Sequence, residues 1–367
     1  MIQNIKRIVF KFGTNILRNS AGEISLSHLY SFIEDISYLH RENKEILIVT
    51  SGAIGLGAKK LNISTDTTTN KQASASVGQP LLMGIWQDGF EKYGITTAQI
   101  LLVEDDFSNR KKYLSLRSTL GKLLENGVIP IINQNDTVSP TECERASFSD
   151  NDKLSSIVAS KLDADLLVMV SDIDGLYDKN PKTEKDAKLI KVVEHITPKI
   201  EKMAQGASNG GRGGMITKLI GAKVATSSGV YAKIVNGKTP DIIKKIFDDE
   251  TGTTFLPSQN LSHKKRWIAY ATNIMGEIKV NLGAQEAIIN NQKSLLSIGI
   301  VDVKGDFKKG EIVSIVNEEN IEFARGIANY SSDEIQKIKG AHSNKIEEIL
   351  GYKYDDDVVI KDNLVLV

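Results

Sequence analysis

The sequence has little of what would place it in several common protein classes. It contains one cysteine, Cys143, and its five histidines form no metal-ligand spacing with that residue, which excludes an internal disulfide framework. Aromatic residues are only 6% of the chain, and no run approaches the roughly 20 apolar residues needed to span a bilayer. The first apolar run, at residues 8–10, lacks a secretory cleavage site, so we predict a cytoplasmic protein.

The chain also lacks a net charge of either sign. Lysine plus arginine and aspartate plus glutamate both number 46, so no global field draws the protein to nucleic acid or to an anionic membrane. With 367 residues, of which 41% are hydrophobic and 25% charged, the chain has a globular composition and enough length for two domains. We therefore expect one larger and one smaller domain.

Short, nearly continuous apolar runs alternate with amphipathic stretches over the first part of the chain. Such runs are typical of strands buried on both faces of a parallel sheet, and the stretches between them have helical spacing. The predicted strands are residues 8–12, 46–50, 99–103, 128–133, 166–170 and 231–235, and the predicted helices are residues 26–41, 81–93, 111–125, 153–162 and 215–228. This alternation predicts an α/β fold, with an open, mainly parallel sheet sandwiched by helices and ligands beyond the carboxyl ends of the strands.

The character of the sequence changes after Phe247. Residues 248–254 are polar and turn-prone, and from Trp267 onward the apolar runs are short and strand-like, with Gly283 among the residues that interrupt them. These short apolar runs predict a small C-terminal β-rich barrel. The predicted division is a catalytic domain of residues 1–257, a linker of residues 258–273, the β-rich domain of residues 274–354 and a tail of residues 355–367.

Two candidate anion sites follow the first two predicted strands. Lys11 and Gly13 end the first strand, where an ammonium group and backbone N–H groups can receive an anion, although Lys11 alone is also consistent with a lysine that extends to solvent. Residues 50–57 lead into a helix whose first N–H groups would point at a negative ligand, and a tight turn with glycines for helix packing is the alternative. The glycines at 52, 55 and 57 do not fit the dinucleotide-binding pattern, so NAD is not expected.

Three further clusters follow later strands. Residues 133–137 and 149–153 bring amides and carboxylates together, which can hold an ammonium group, a carboxylate and a metal, although Asp150 or Asn151 would also cap the next helix. Residues 210–218 place four glycines at a helix N-terminus, which favours a phosphate-like ligand, and their lysine spacing excludes a Walker A loop. Residues 171–177 are equally consistent with a nucleotide contact and an ordinary acidic turn.

These motifs, in this order, resemble those of the amino-acid-kinase family: VFKFGTN, VTSGAIGLG, INQNDTV, SDNDKLS, VSDIDGLYDKNP and GGRGGMITK. The resemblance covers nearly the whole chain, because the C-terminal region is similar to a PUA domain. It implies ATP-dependent phosphorylation of the γ-carboxylate of L-glutamate to glutamyl 5-phosphate, the first step of proline biosynthesis. It also implies Mg²⁺ bound mainly through ATP, proline as a feedback inhibitor, glutamyl-phosphate reductase as the downstream enzyme, and a homo-oligomer.

The resemblance also implies roles for individual residues at the matching positions. Lys11 and Lys218 contact the transferring phosphoryl group, and Asp152 positions both lysines. Glutamate is bound by Ser51, Gly52, Asn133, Asp136 and Asn151. ATP is bound by Lys11, Gly13, Ser171, Asp172, Arg212, Gly213, Gly214, Met215, Ile216, Thr217 and Lys218.

Two positions depart from the family pattern, and two other functions stay open on the sequence alone. Gln134 stands where glutamate is common, which removes a negative charge beside the substrate, and Arg212 replaces a small residue. One alternative is a kinase for another carboxylate, such as N-acetylglutamate. The other is an RNA-binding PUA protein with a structural kinase-like half, supported by the basic residues 263–267, although the neutral net charge favours a solvated surface there.

Overall fold

The computed structural model describes residues 4–19, 24–103, 105–138, 151–181, 183–205, 214–257, 265, 268–269 and 274–366. The chain divides into two compact units, Met1–Asn260 and Leu261–Val367. The finer predicted division stays a prediction, because most of the predicted linker lies outside the described residues. Within these ranges, no helix is both long enough and apolar enough to cross a membrane.

Eight strands in the described part of the first unit form one sheet. They are β1 (Arg7–Phe12), β2 (Glu45–Val49), β3 (Thr97–Leu102), β4 (Ile129–Gln134), β5 (Leu166–Ser171), β6 (Val192–Val193), β7 (Tyr231–Asn236) and β8 (Thr253–Phe255). Their order is β3-β4-β2-β1-β5-β7-β8-β6. The pairs from β3 to β7 are parallel, whereas β8 is antiparallel to β7 and parallel to β6. The carboxyl ends of β1, β2, β4 and β5 therefore meet at one edge of the sheet.

Helices cover both faces of this sheet. They are α1 (Leu26–Arg41), α2 (Ala53–Leu61), α3 (Thr68–Glu91), α4 (Asp105–Ser108), α5 (Arg110–Glu125), α6 (Asn151–Lys161), α7 (Pro198–Gln205) and α8 (Met215–Ser227). Ile8 and Phe10 of β1 share one core with α1 and α3. Met169 of β5 is also fully buried, and Gly221 of α8 approaches it closely. All positions of β4 and β5 are buried, and since successive strand residues point to opposite faces, both faces of these strands are covered. The predicted sheet sandwiched by helices is confirmed.

Helix α3 begins well before the predicted start at residue 81. The hydroxyl of Thr67 caps it by accepting a hydrogen bond of 3.1 Å from the backbone N–H of Asn70. The first half of α3 packs backbone to backbone against α2, because a Cβ atom on Gly57 or Gly78 would collide with the opposite helix. This half carries small residues instead of a large apolar stripe, so a prediction from apolar spacing missed it.

Strand β8 includes residues 253 and 254, which polarity had predicted to be a turn. Thr253 is fully buried. Its hydroxyl accepts a hydrogen bond of 2.8 Å from the N–H of Leu176 and donates one of 2.6 Å to the carbonyl of Ile190. The turn prediction was wrong here, because backbone partners from distant segments satisfy a threonine that hydropathy marks as exposed.

The described residues of the second unit form a small β-rich domain with a core of its own. Its strands are β9 (Gly276–Val280), β10 (Leu295–Leu296), β11 (Ile300–Gly305), β12 (Ile312–Val316), β13 (Glu322–Ile327), β14 (Asp357–Val359) and β15 (Leu364–Leu366). Five of them form a sheet in the order β11-β9-β12-β13-β15, and β10 pairs with β14. The β-rich character predicted for this region is confirmed.

The prediction of mainly strands in the second unit missed three helices within residues 274–366. These are α9 (Leu282–Asn291), α10 (Ser332–Ile338) and α11 (Ile346–Leu350). Gly283, expected to interrupt a strand, lies inside α9, because Asn281 caps this helix by accepting a hydrogen bond of 2.9 Å from the N–H of Ala284. Ser331 and Glu334 form a capping box at the start of α10.

Candidate functional site

A cavity of about 530 Å³ lies at the carboxyl ends of β1, β2, β4 and β5. Each of the five polar clusters predicted from the sequence contributes at least one residue to its lining. The predicted site residues that line it are Lys11, Gly13, Ser51, Gly52, Asn133, Asp136, Asn151, Ser171, Asp172 and Lys218.

Asp152 lies behind the cavity wall and holds two lysines. It is the second residue of α6 and is fully buried. Its Oδ1 is 2.5 Å from Nζ of Lys11, and its Oδ2 is 3.1 Å from Nζ of Lys218. The lysines are themselves only 4% and 6% exposed, and they come from β1 and α8. Three elements distant in sequence thus converge on one carboxylate.

The charge balance of this cluster favours an anionic ligand. Burial alone would raise the pKa of Asp152, but the charges of Lys11 and Lys218 and their hydrogen bonds outweigh it and hold the pKa below its usual value. The hydroxyl of Thr217 donates a further hydrogen bond of 3.0 Å to Oδ2. Two ammonium groups therefore share one carboxylate, which leaves an excess positive charge at the cavity.

A chain of side-chain amides lines the part of the cavity near β4. Oδ1 of Asn133 accepts hydrogen bonds of 2.9 Å from the backbone N–H of Gln134 and of 3.1 Å from Nδ2 of Asn151. Nδ2 of Asn133 donates to Gln79 at 2.9 Å, and Nδ2 of Asn151 also donates to the carbonyl of Thr50. Backbone groups thereby fix the direction of both amides. The side-chain oxygen Oδ1 of Asn151 can therefore accept a hydrogen bond from a ligand, and a donor such as an ammonium group suits it.

The turn between β2 and α2 places Ser51 and Gly52 beside the end of β1. Gly52 has a φ of +112°, a left-handed conformation that favours glycine and lets the helix begin at once. The hydroxyl of Ser51 donates to the carbonyl of Phe12 at 3.1 Å and accepts from Thr14 at 3.0 Å. Because the first N–H groups of a helix have no partner within it, the start of α2 offers donors to an anion.

The glycines of this motif have different uses. Gly57 serves the contact with α3 described above, so the helix-packing alternative holds for that position. A Cβ atom on Gly55 would collide with the guanidinium of Arg18. Gly52 alone needs its special backbone conformation.

Ser171 is the last residue of β5 and Asp172 follows it, on the other side of β1 from Ser51. Asp172 accepts hydrogen bonds of 3.3 Å from Asn15 and 3.2 Å from the hydroxyl of Ser171. Burial would raise the pKa of Asp172, but these hydrogen bonds, its own backbone N–H and the charge of Lys218 together lower it. This side of the cavity therefore carries an ionised carboxylate.

The remaining predicted nucleotide contacts lie at the start of α8. Gly214 precedes this helix, and Met215, Ile216 and Thr217 form its first turn. Met215 is buried at 6% exposure, and within the described chain none of the four lines the cavity with a side chain. Arg212 and Gly213 lie outside the described residues.

Asp136 is the acidic side chain on the β4 side of the cavity. Burial raises its pKa to about 6. A carboxyl group in such a position ionises more readily when a cation lies next to it. Asp136 therefore complements the carbonyl oxygen of Asn151 as a partner for an ammonium group.

The structure adds cavity residues that were not among the predicted site residues: Thr14, Asn15, Ile16, Arg18, Ala53, Ile54, Gly55, Thr65 and Gln134. Thr14 and Asn15 belong to the first motif, VFKFGTN, so position in sequence was a usable signal for these two. Arg18 lies outside that motif. Thr65 lies between α2 and α3 and carried no such signal. In the described ranges, no cluster of three or more His, Cys, Asp or Glu side chains could hold a metal ion.

Comparison with known proteins identifies relatives along the full chain. The sequence profile of the Amino acid kinase family matches residues 6–236, and that of the PUA domain matches residues 276–350. Glutamate 5-kinase of Caldanaerobacter subterraneus subsp. tengcongensis is 46% identical over 367 residues, covering 98% of both chains. Glutamate 5-kinase of Methanosarcina barkeri is 44% identical over 375 residues, covering 99% of this chain and 97% of its own.

Solved structures of low identity share the fold of the first unit. Carbamate kinase from Giardia lamblia bound to AMP-PNP is 13% identical and has a TM-score of 0.51. The match covers 70% of this chain and 100% of that one. At this identity the likeness concerns the fold alone.

Proposed function

Because this chain belongs to the amino acid kinase family and matches glutamate 5-kinases along its length, we propose that its cavity transfers the γ-phosphoryl group of ATP to the γ-carboxylate of glutamate. The product is glutamyl 5-phosphate, an intermediate of proline biosynthesis. The observation that carries the assignment of the reacting centre is the pair of lysines held on Asp152.

The reaction calls for cations more than for a base. A carboxylate is already an anionic nucleophile at neutral pH, so no proton has to be removed. The obstacle is repulsion between that anion and the phosphates of ATP, and charges fixed in advance by the protein offset it. Lys11 and Lys218 supply such charges, and Asp152 keeps both in place before the substrates arrive. Mg²⁺ bound with ATP would offset further charge on the phosphates.

Glutamate binds on the β2 and β4 side of the cavity. Asp136 and the carbonyl oxygen of Asn151 accept hydrogen bonds from its ammonium group, with Asn133 holding Asn151 in place. Ser51 and Gly52 start the turn that presents the N–H groups of α2. Glutamine in place of glutamate at position 134 removes a negative charge near the substrate. It does not alter the hydrogen bond from the backbone N–H of Gln134 that orients Asn133.

ATP binds on the β5 and α8 side. Ser171 and Asp172 contact the nucleotide, and Gly13 lets the phosphates approach the end of β1. The N–H groups that begin α8, at Gly214 to Thr217, bind the phosphates. The family resemblance assigns Arg212 and Gly213 to ATP as well. Lys218 therefore joins the nucleotide side to the reacting centre.

The proposal extends to regulation and partners. Proline carries the same ammonium and α-carboxylate groups as glutamate, so we expect it to compete at the glutamate side as a feedback inhibitor. The acyl phosphate product is reactive, which calls for a glutamyl-phosphate reductase as the next enzyme in the cytoplasm. By family, the chain works as a homo-oligomer.

Acyl phosphate capture tests the proposed reaction. The protein is incubated with ATP, Mg²⁺, hydroxylamine and one acceptor, which is glutamate, N-acetylglutamate or aspartate. We expect hydroxamate that depends on ATP and Mg²⁺ with glutamate, and much less with N-acetylglutamate, because acetylation removes the charge that Asp136 binds. No hydroxamate from glutamate, together with salt-sensitive affinity for RNA, would support the RNA-binding alternative instead.

The affinity for glutamate should depend on the ionisation of Asp136. Its pKa is raised to about 6, and only the ionised form attracts an ammonium group, so the KM for glutamate should rise as the pH falls through that value. The bound ammonium group lowers this pKa, so kcat should fall only at a lower pH than kcat/KM. Initial rates between about pH 5 and pH 8 measure both profiles.

The Asp136→Asn variant separates this effect from general acid sensitivity. It should have a raised KM for glutamate at every pH and a flat KM profile across the same range, with the KM for ATP unchanged. A wild-type KM for glutamate that stays constant through pH 6, or a variant that keeps the wild-type slope, contradicts the role of Asp136.

A further inference from the structure

Arg18 is a cation at the cavity that the phosphoryl transfer described above does not use. It follows the short 3-10 turn Thr14–Ile16 after β1, and its side chain is partly buried. Its guanidinium lies against the first turns of α2, in the space left by Gly55. Glycine is unfavourable inside a helix, and here the missing side chain leaves room for the guanidinium of Arg18.

We propose that Arg18 is a substrate-binding residue that pairs with the α-carboxylate of the acceptor. This inference rests on the proposed function, in which the acceptor is glutamate. Three cations line the described part of the cavity: Lys11, Lys218 and Arg18. The two lysines are engaged with Asp152, whereas no carboxylate among the described residues forms an ion pair with Arg18.

The charges of glutamate match the charges of the cavity one by one. Its γ-carboxylate meets the phosphoryl group beside the two lysines, and its ammonium group meets Asp136 and Asn151. The α-carboxylate then needs a cation on the same side. Arg18 provides it, and a guanidinium can bind a carboxylate through two parallel hydrogen bonds.

The position of Arg18 assigns it to the acceptor and not to ATP. It contacts Gly55 in α2, the helix that follows Ser51 and Gly52. The nucleotide side, with Ser171 and Asp172, lies across β1 from that helix. The unpaired N–H groups at the start of α2 can donate hydrogen bonds to the same α-carboxylate.

Comparison of glutamate with 4-aminobutyrate tests this pairing, because 4-aminobutyrate keeps the ammonium group and the phosphorylated carboxylate but lacks the α-carboxylate. The KM for glutamate and the inhibition constant of 4-aminobutyrate as a competitor are measured for the wild type, Arg18→Met and Arg18→Lys. Arg18→Met should raise the KM for glutamate about 10- to 100-fold, the range for a charge-assisted hydrogen-bonded pair. The KM for ATP and the inhibition constant should stay within about twofold.

Arg18→Lys and a matched control sharpen the test. Lysine keeps the charge but not the two-pronged geometry, so its KM for glutamate should fall between those of the wild type and Arg18→Met. Arg41→Met, which removes an exposed arginine at the end of α1, should behave as the wild type. The inference is overturned if the wild type phosphorylates glutamate and Arg18→Met still prefers glutamate over 4-aminobutyrate as strongly as the wild type does.

Two other outcomes are also decisive. If Arg18→Met weakens glutamate and 4-aminobutyrate by the same factor, Arg18 supports the structure of the cavity and does not bind the α-carboxylate. If the wild type forms no acyl phosphate from glutamate, the proposed function fails, and the inference about Arg18 fails with it. The first result leaves the kinase assignment intact, so the two failures are distinguishable.

Discussion

Replacing Lys218 with methionine should lower kcat by about 100-fold or more while the protein stays folded. Lys218 is one of the two cations that offset the charge of the transferring phosphoryl group, and loss of one such fixed donor typically costs about 3 to 4 kcal/mol of transition-state stabilisation. Methionine fills a similar volume. Asp152 keeps Lys11 at 2.5 Å, so the buried carboxylate is not left without a counter-charge.

Steady-state kinetics of hydroxamate formation, with a thermal melt of each protein, check this result. Lys223→Met is the matched control, because Lys223 lies on the same helix but is exposed and pairs with Glu201 at 3.1 Å. It should keep near-wild-type turnover. Near-wild-type turnover in Lys218→Met refutes a role for Lys218 in the transfer, and an unfolded variant shifts the test to Lys218→Arg, which keeps the charge and should fold.

Replacing Asp152 with asparagine should abolish measurable turnover and lower the free energy of unfolding by about 3 to 5 kcal/mol at neutral pH. The change leaves Lys11 and Lys218, both nearly buried, close together without a compensating charge. Because folding lowers the pKa of Asp152, its stabilising effect is complete above the unfolded-state pKa of about 4 and is lost as the pH falls through the folded-state value. The stability difference between wild type and variant should therefore shrink only in acid.

Urea unfolding at neutral and acidic pH measures this difference. Asp88→Asn serves as the control, because it removes an exposed ion pair of 2.6 Å with Lys92 and should leave the stability close to that of the wild type. If Asp152→Asn is as stable as the wild type at neutral pH, the carboxylate does not hold the two lysines by charge. If it is destabilised yet fully active, Asp152 is structural only.

The central part of the sheet was predictable because its strands, such as β4 and β5, are buried on both faces. In β1 and β5 this gives continuous apolar runs that end at polar turns, and those turns mark the cavity edge. The contact of Asp152 with Lys11 and Lys218 was different, because it joins β1, α6 and α8 across long stretches of chain. The residue types near Asp152 predicted only a helix cap. The role of Asp152 as a carboxylate shared by two lysines was predicted from the family resemblance alone.

The parts that the sequence did not reveal depend on tertiary contacts. Asn151 was a candidate cap, yet it is the first residue of α6 and its amide N–H groups reach Thr50 and Asn133. Gln79 joins that chain from the half of α3 that apolar spacing missed. Arg18 carried no motif of its own, and its relation to the cavity follows from the space at Gly55.

The crossing of α2 and α3 also decides how this enzyme can be made more heat-resistant. Replacing a helical glycine with alanine commonly stabilises a protein by about 0.5 to 1 kcal/mol, because the unfolded chain loses freedom. At Gly57 and Gly78 the added methyl group would push against the backbone of the other helix, which cannot yield as a side chain can. At Gly84 and Gly121 nothing stands in the way, so thermostability engineering should begin at those two glycines.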